Sequence, residues 1–391
     1  MPRGRETNFH SRRFAFICGS MKFESLVRRE VLTQPVYEPG KPIEYVAREL
    51  GLDPATIIKL ASNENPLGPS PRAVAAAKAA LEHGELYPDG GCFALRQKLA
   101  AVRGLGVDQF IVGNGSNEII ELLARGFLSE GDEVISSEMT FLVYPILSQV
   151  CGAHFKAVPM KDCRYDLDGI LQAITPKTKL VFIANPNNPT GTYVTAIEVE
   201  DFLSKVPEYV IVCFDEAYVD FVEAEDFPKM LTYVKRDRPN VVVLRTFSKA
   251  YGLAGLRIGY GAASKEMVQY LHKVRQPFNV NSLAQAAVVA ALDDSFFLWR
   301  TKWLVVRGRK FFYRKLEKLG LEYLPSQANF ILIHMKTDGQ EVYQYLLRQG
   351  MIVRPMSAYK LPDWIRITIG RRGQNVQLIK LLQSYLAKNK V

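Results

Sequence analysis

Over most of the chain, short apolar runs alternate with longer segments in which apolar residues recur every three to four positions. The runs FIVG, VFIA, VIVCF and VVVL have the length and content of buried strands. Most of them lead into a segment with helical spacing, such as NEIIELLARGFL. This alternation predicts a mostly parallel sheet that is covered by helices on both faces.

The last hundred residues follow a different pattern. A helical stretch is predicted from about 283 to 319, followed by strands at NFILIHM and IRITIG and by helices at 339–349 and 374–388. Strands that do not alternate one by one with helices indicate a smaller α+β domain. Since 391 residues exceed one ordinary hydrophobic core, we expect a large α/β domain followed by this smaller one.

Composition narrows the class of protein. Hydrophobic residues make up 48% and charged residues 23% of the chain, as in ordinary globular proteins. The apolar runs are too short to span a bilayer, so we expect no membrane partner. The five cysteines are scattered and form no CxxC pair, which favours reduced thiols in a cytoplasmic protein. The five histidines are scattered too, so we predict no metal site.

The formal net charge of +10 raises a second possibility, a nucleic-acid-binding protein. The strongest basic run, residues 300–319, has apolar residues at helical intervals, which favours the solvated face of an amphipathic helix. No recognition motif accompanies the charge, so we expect no nucleic-acid partner. Residues 1–20 are basic, lack the apolar stretch of a secretory signal and are predicted to form a disordered extension.

Polar residues directly after the predicted strands are the candidates for chemistry, because ligands of open α/β sheets bind beyond the carboxyl ends of the strands. Ser116 and Asn117 open a helix after FIVGNG, where backbone N–H groups suit a phosphate. A plain capped turn is the alternative there. Asn188 lies in the loop NPNNPTGT, and Asp215 ends a strand three residues before Tyr218. A carboxylate in that position needs a cation nearby.

Lys249 follows the strand VVVLRT, between the hydroxyls of Thr246 and Ser248 and eight residues before Arg257. A lysine so close to a core costs free energy unless it is paired, neutralised or used covalently. An amine for a Schiff base, a carboxylate for a pyridine nitrogen and hydroxyls for a phosphate together predict a pyridoxal-phosphate site.

The sequence resembles the fold type I aminotransferases from residue 31 to the C-terminus. The motifs NPNNPTGT, DEAYVDF and TFSKAYGLAGLRIGY carry this resemblance. More narrowly, YEPGKPIEYVARELG, KLASNENPLGPSP and IVRPMSAYKLPDWIRITIGRRGQN are similar to the histidinol-phosphate aminotransferase family. The resemblance implies a large, mostly parallel seven-stranded α/β domain at 61–292 and a smaller α+β domain at 293–391, with residues 21–60 as an N-terminal arm and part of the small domain.

The resemblance also implies the cofactor, the partners and the site residues. The cofactor is pyridoxal 5'-phosphate, the substrates are L-histidinol phosphate and glutamate or 2-oxoglutarate, and the enzyme is a homodimer with composite sites. The residues implied for catalysis are Lys249, Asp215 and Tyr218. Those implied for cofactor binding are Ser116, Asn117, Phe141, Asn188, Asp215, Tyr218, Thr246, Ser248, Lys249, Arg257 and, from the partner subunit, Tyr87. Those implied for substrate binding are Tyr37, Asn329, Arg354 and Arg366.

Two departures and two alternatives accompany the resemblance. Met139 stands where the family usually has proline before the stacking aromatic residue, and Lys360 stands where glycine is common. The shared motifs do not separate this activity from that of an aromatic amino-acid aminotransferase or a threonine-phosphate decarboxylase of the same fold.

Overall fold

The computed structural model describes residues 23–34, 40–236 and 238–389. Its α-helices are α1 (Arg29–Leu32), α2 (Ile43–Leu50), α3 (Pro71–Leu81), α4 (Phe93–Arg103), α5 (Ser116–Phe127), α6 (Val143–Val150), α7 (Leu167–Ala173), α8 (Ala196–Lys205), α9 (Leu231–Lys235), α10 (Lys265–Val274), α11 (Ser282–Leu292), α12 (Ser295–Lys318), α13 (Gly339–Arg348) and α14 (Arg372–Asn389).

The strands are β1 (Ile58–Lys59), β2 (Phe110–Gly113), β3 (Glu133–Ser137), β4 (His154–Val158), β5 (Thr178–Ala184), β6 (Ile211–Asp215), β7 (Val241–Thr246), β8 (Gly259–Ala262), β9 (Tyr323–Leu324), β10 (Phe330–His334), β11 (Met351–Ile352), β12 (Arg354–Pro355) and β13 (Trp364–Thr368).

A seven-stranded sheet forms the larger part of the molecule, with the strand order β2-β8-β7-β6-β5-β3-β4. The strands from β7 to β4 are parallel, and β8 is antiparallel to both of its neighbours. Val181, Val212 and Val243 lie in the buried centre of this sheet, where β-branched side chains pack well on both faces. The predicted mostly parallel α/β fold with seven strands is therefore confirmed.

Two strands of this sheet escaped the apolar pattern. The strand β4 lies at the edge, where His154 is exposed, so it needs no continuous apolar run. The strand β8, with the sequence GYGA, offers only one large side chain, although all four residues are buried. Its glycines let neighbouring side chains approach closely, since a Cβ on Gly261 would lie 3.1 Å from Ile111 and from Ile119.

The long helix predicted over 283–319 was wrong in one respect, because the structure divides it into α11 and α12. The break falls at Asp293 and Asp294. The carboxylate of Asp294 accepts a hydrogen bond from the backbone N–H of Phe297 at 3.1 Å and so caps the start of α12. An aspartate can end one helix and begin the next because it competes for backbone donors.

A second, four-stranded antiparallel sheet has the order β12-β13-β10-β9 and brings Arg354 opposite Arg366. Residues 58–59 reach this part of the chain, because Ile58 pairs with Met351 in a two-stranded parallel sheet. The backbone N–H of Thr368 then bonds to the carbonyl of Leu60 at 2.8 Å. The loop that follows Leu60 is thereby fixed between the two large sheets.

Within the described ranges, no helix combines the length and apolar content that crossing a membrane requires. The predicted extension at residues 1–20 lies outside the described residues.

Candidate active site

A cavity of about 430 Å³ opens at the carboxyl ends of the parallel strands. Most of the predicted site residues line it, namely Ser116, Asn117, Phe141, Asn188, Asp215, Tyr218, Thr246, Ser248, Lys249, Arg257, Arg354 and Arg366. They come from five different parts of the chain. The sheet brings them together because its parallel strands all end at the same edge.

Lys249 lies three residues beyond the end of β7, with its side chain buried in the cavity wall. Its Nζ donates a hydrogen bond to the carbonyl oxygen of Ser62 at 3.1 Å. Burial, reinforced by the positive charges of Arg366 and Arg257, lowers the pKa of this amine to about 8. A substantial fraction of the amine is therefore neutral near pH 8, as a nucleophile must be.

Asp215 is the last residue of β6 and is 5% exposed. Its Oδ2 accepts a hydrogen bond from the Tyr144 hydroxyl at 2.9 Å, and its Oδ1 accepts one from the backbone N–H of Ala217 at 3.1 Å. Burial raises the pKa of this carboxyl to about 6, although the two hydrogen bonds and the charge of Lys249 oppose the rise. Near neutral pH the cavity therefore contains a largely ionised, buried carboxylate.

Backbone donors and two glycines shape the end of the cavity opposite Asp215 along the site. The helix α5 begins at Ser116, so its first N–H groups have no partner within the helix. A Cβ on Gly259 would lie 2.6 Å from the Ser116 nitrogen, and one on Gly115 would lie 2.7 Å from Arg257 Nη2. Both glycines therefore keep this space open for an oxyanion.

Hydroxyl groups and a guanidinium adjoin these amides. The Oγ1 of Thr246 accepts a hydrogen bond from the Ser248 N–H at 3.1 Å, which fixes the turn after β7. The guanidinium of Arg257 donates to the Ser248 hydroxyl at 3.5 Å and to the Ala254 carbonyl at 3.1 Å. These groups form a positively charged cluster of donors of the kind that binds phosphate.

A second group of polar side chains connects the two sheets across the cavity. The Arg366 guanidinium, which comes from β13, donates a very short hydrogen bond to the Asn188 amide oxygen and another to the Ala61 carbonyl at 2.9 Å. The Tyr218 hydroxyl accepts a hydrogen bond from the Asn63 side-chain amide at 3.0 Å. The cations Lys249, Arg257, Arg354 and Arg366 outnumber the acids Asp215 and Glu64 in the lining, so the cavity favours anionic ligands.

Several contacting residues were missed by the sequence reasoning. Tyr144 bonds to Asp215, Ser62 accepts from Lys249, and Asn63 donates to Tyr218. For Ser62 and Asn63 a signal was present, because the polar run SNEN directly follows the strand IK. Tyr144 lies in the apolar helix segment VYPILSQV, where nothing distinguishes it from a packing residue.

Three predicted residues do not line the cavity in this single chain. Asn329 is buried behind it and donates its side-chain amide to the Asn63 carbonyl at 3.0 Å. Tyr87 is 82% exposed and stacks on Phe278, with ring centroids 4.9 Å apart. Tyr37 lies outside the described residues. The departures Met139 and Lys360 also lie outside the lining, although the Met139 carbonyl accepts from the Asn187 amide.

The donor set fits pyridoxal 5'-phosphate. A buried lysine with a lowered pKa, a buried carboxylate and a cluster of phosphate donors share one cavity. The cluster is open only because Gly115 and Gly259 have no side chain. An aldehyde, a pyridine nitrogen and a phosphate are the groups that these residues complement.

Comparisons with known proteins agree with this arrangement. The family model described as aminotransferase class I and II matches residues 55–382. A histidinol-phosphate aminotransferase of Akkermansia muciniphila is 49% identical over 367 residues, which cover 94% of this chain and 100% of that protein. One of Moorella thermoacetica is 47% identical over 360 residues, which cover 92% of this chain and 93% of that protein.

Among solved structures, a histidinol-phosphate aminotransferase from Sinorhizobium meliloti in complex with pyridoxal-5'-phosphate superimposes with a TM-score of 0.85. It is 28% identical in sequence, and the superposition covers 92% of this chain and 98% of that one.

Proposed function

The chain belongs to the class I and II aminotransferase family, and on this premise we propose that it is a histidinol-phosphate aminotransferase of histidine biosynthesis. The reaction converts L-histidinol phosphate and 2-oxoglutarate to imidazole-acetol phosphate and L-glutamate. The observation that carries the proposal is the identity of 47–49%, over more than nine-tenths of the chain, to proteins with that name.

The cofactor is pyridoxal 5'-phosphate, which the structural neighbour from Sinorhizobium meliloti contains and the family model implies. When bound, it withdraws electrons from the substrate Cα and carries the amino group between the two substrates. The residues proposed to hold its phosphate are Thr246, Ser248, Arg257 and the first amides of α5. Asp215 is proposed to pair with its pyridine nitrogen, and Phe141 to stack on its ring.

Lys249 is proposed to have two tasks. Its neutral amine bonds covalently to the cofactor aldehyde, and after the substrate amine has displaced it, Nζ moves a proton from the substrate Cα. The lowered pKa suits both tasks, because a neutral amine is both a nucleophile and a base. The Ser62 carbonyl, 3.1 Å from Nζ, orients the side chain toward the cavity.

Arg354 and Arg366 are proposed to bind the anionic groups of the two substrates. They face each other across the β12–β13 pair, and both line the cavity. A planar guanidinium binds carboxylate and phosphate equally well through paired hydrogen bonds. Two arginines at this place therefore suit an enzyme that accepts histidinol phosphate in one half of its cycle and glutamate in the other.

A comparison of substrates tests the proposed activity. We expect kcat/KM with 2-oxoglutarate as acceptor to be highest for L-histidinol phosphate and at least about tenfold lower for phenylalanine, a difference of one lost anionic contact. Threonine phosphate should release no carbon dioxide. Lys249→Ala, assayed in parallel, controls for contaminating aminotransferases. A preference for phenylalanine, or carbon dioxide from threonine phosphate, would identify one of the alternative activities within the same family.

We propose further that the enzyme is a cytoplasmic homodimer whose Tyr87 completes the partner's site. Large hydrophobic residues are exposed around Tyr87, including Leu86, Phe93 and Phe278, and such exposure is typical of an interface. Among the described residues Cys92, Cys151, Cys163 and Cys213 are free thiols, which suits a reducing compartment. The proposed division into 21–60, 61–292 and 293–391 is supported by the pairing of β1 with β11.

A further inference from the structure

We propose that Asn63 is a positioning residue that turns the Tyr218 hydroxyl hydrogen toward the cofactor. The inference rests on the proposed contact between Tyr218 and the ring oxygen O3' of pyridoxal phosphate. It concerns the direction of one hydrogen bond, which decides whether Tyr218 donates to that oxygen.

The surroundings of Asn63 fix which way its amide faces. The Asn63 backbone N–H donates to Thr368 Oγ1 at 2.9 Å, so this hydroxyl must use its own hydrogen elsewhere. That hydrogen goes to the Asn63 side-chain oxygen, Oδ1, at 3.2 Å. Because Oδ1 is placed on Thr368, the amide nitrogen Nδ2 is left for Tyr218, at 3.0 Å from its hydroxyl oxygen.

The backbone of Asn63 is held as firmly as its side chain. Asn63 is 1% exposed and has a φ of 56°, in the left-handed region that asparagine tolerates better than most residues. The Asn329 side chain donates to its carbonyl at 3.0 Å. A conformation that is held at its N–H, at its carbonyl and at its side chain leaves the amide no room to flip.

The consequence for Tyr218 follows from the inventory of donors and acceptors. Its hydroxyl oxygen already accepts from Asn63, so the single hydroxyl hydrogen is free to point into the cavity that Tyr218 lines. A donor aimed at O3' favours the anionic form of that oxygen. The proton shared between the bound cofactor and Lys249 is then lost at a lower pH, so the visible absorption of the holoenzyme changes at a lower pH too.

The test measures the pH midpoint of the visible absorption change of the holoenzyme, a quantity that does not depend on turnover. Asn63→Asp keeps the size of the side chain and the bond to Thr368, but its second oxygen must accept the Tyr218 hydrogen. We expect the midpoint to rise by about one pH unit, a tenfold change in proton affinity. Asn63→Gly, which tolerates the positive φ, should raise it less, because the hydroxyl then rotates freely.

Two comparisons separate this effect from others. Asn375→Asp changes another buried asparagine, which bonds to the Gly370 backbone away from Tyr218, and should leave the midpoint unchanged. In a Tyr218→Phe background, Asn63→Asp should add little, because no hydroxyl remains to be turned. An equal rise in both backgrounds would reduce the effect to the added negative charge and overturn the inference.

Failure of the underlying proposal is recognisable by itself. If Tyr218→Phe alone leaves the midpoint unchanged, Tyr218 does not bond to the cofactor, and the role of Asn63 falls with it. If Tyr218→Phe raises the midpoint but Asn63→Asp does not, the contact with the cofactor stands and only the inference about Asn63 is wrong.

Discussion

Replacing Asp215 by asparagine should make the cofactor-free enzyme more stable while it impairs catalysis. The carboxylate is almost fully buried, and in the absence of a bound pyridine its compensation consists of the Tyr144 hydroxyl, the Ala217 N–H and the charge of Lys249. Burial prevails over these contacts and raises the pKa from its usual 3.8 to about 6. An ionised Asp215 therefore destabilises the folded apoenzyme.

The size and sign of the effect follow from this pKa. Between pH 3.8 and about 6 the folded state binds more protons than the unfolded state, so the free energy of unfolding falls as the pH rises through this window. Above it, the full cost is about 3 kcal/mol, at 1.36 kcal/mol per pH unit. Asparagine loses about 1 kcal/mol because its amide nitrogen cannot accept the Tyr144 hydrogen. The net gain should be about 2 kcal/mol at pH 7.5 and about 0.5 kcal/mol at pH 5.

Urea unfolding of the two apoenzymes, followed by tryptophan fluorescence at both pH values, measures this difference. Glu216→Gln is the matched control, since Glu216 is the next buried carboxylate but pairs with Arg245 at 2.7 Å. Its loss leaves a buried guanidinium unpaired and should cost about 3 kcal/mol. With cofactor bound, Asp215→Asn should lower kcat at least about a hundredfold. An Asp215→Asn apoenzyme that is destabilised like Glu216→Gln would refute the reasoning.

Three further results are expected. Lys249→Ala should lose the visible band of the bound cofactor and nearly all turnover, and a spectrum and a kcat measurement check both. Arg354→Ala should raise KM for L-histidinol phosphate about tenfold more than KM for phenylalanine, whereas equal rises would contradict its role. Tyr87→Ala and Lys249→Ala, each inactive alone, should regain about a quarter of wild-type activity when unfolded together and refolded, because hybrid dimers contain one intact site; no recovery would contradict composite sites.

The residues at the strand ends were predictable from the sequence for a physical reason. Ser116, Asp215 and Lys249 lie at or within three residues of the ends of β2, β6 and β7. A buried strand is recognisable by its apolar run, and parallel strands of one sheet end at the same edge. Position along the chain therefore translates into position in space without any knowledge of the tertiary contacts.

The partners of these residues could not be predicted in the same way. Tyr144 bonds to Asp215 across 71 residues of sequence, and Asn63 bonds to Tyr218 across 155. Neither pair is set by a local pattern, because each depends on how a helix or a loop packs against the sheet. The same applies to β8, whose membership in the sheet rests on its neighbours rather than on its own side chains.

The loop at residues 61–63 shows why such contacts remain invisible in a sequence. The Ala61 carbonyl accepts from Arg366, the Ser62 carbonyl accepts from Lys249, and the Asn63 amide donates to Tyr218. Three successive residues thus hold three side chains that come from two different sheets. The first two contacts use backbone oxygens, which every residue type possesses, so no particular amino acid is required there. Only at Asn63 does the contact depend on the side chain, and that is where a substitution can test the link.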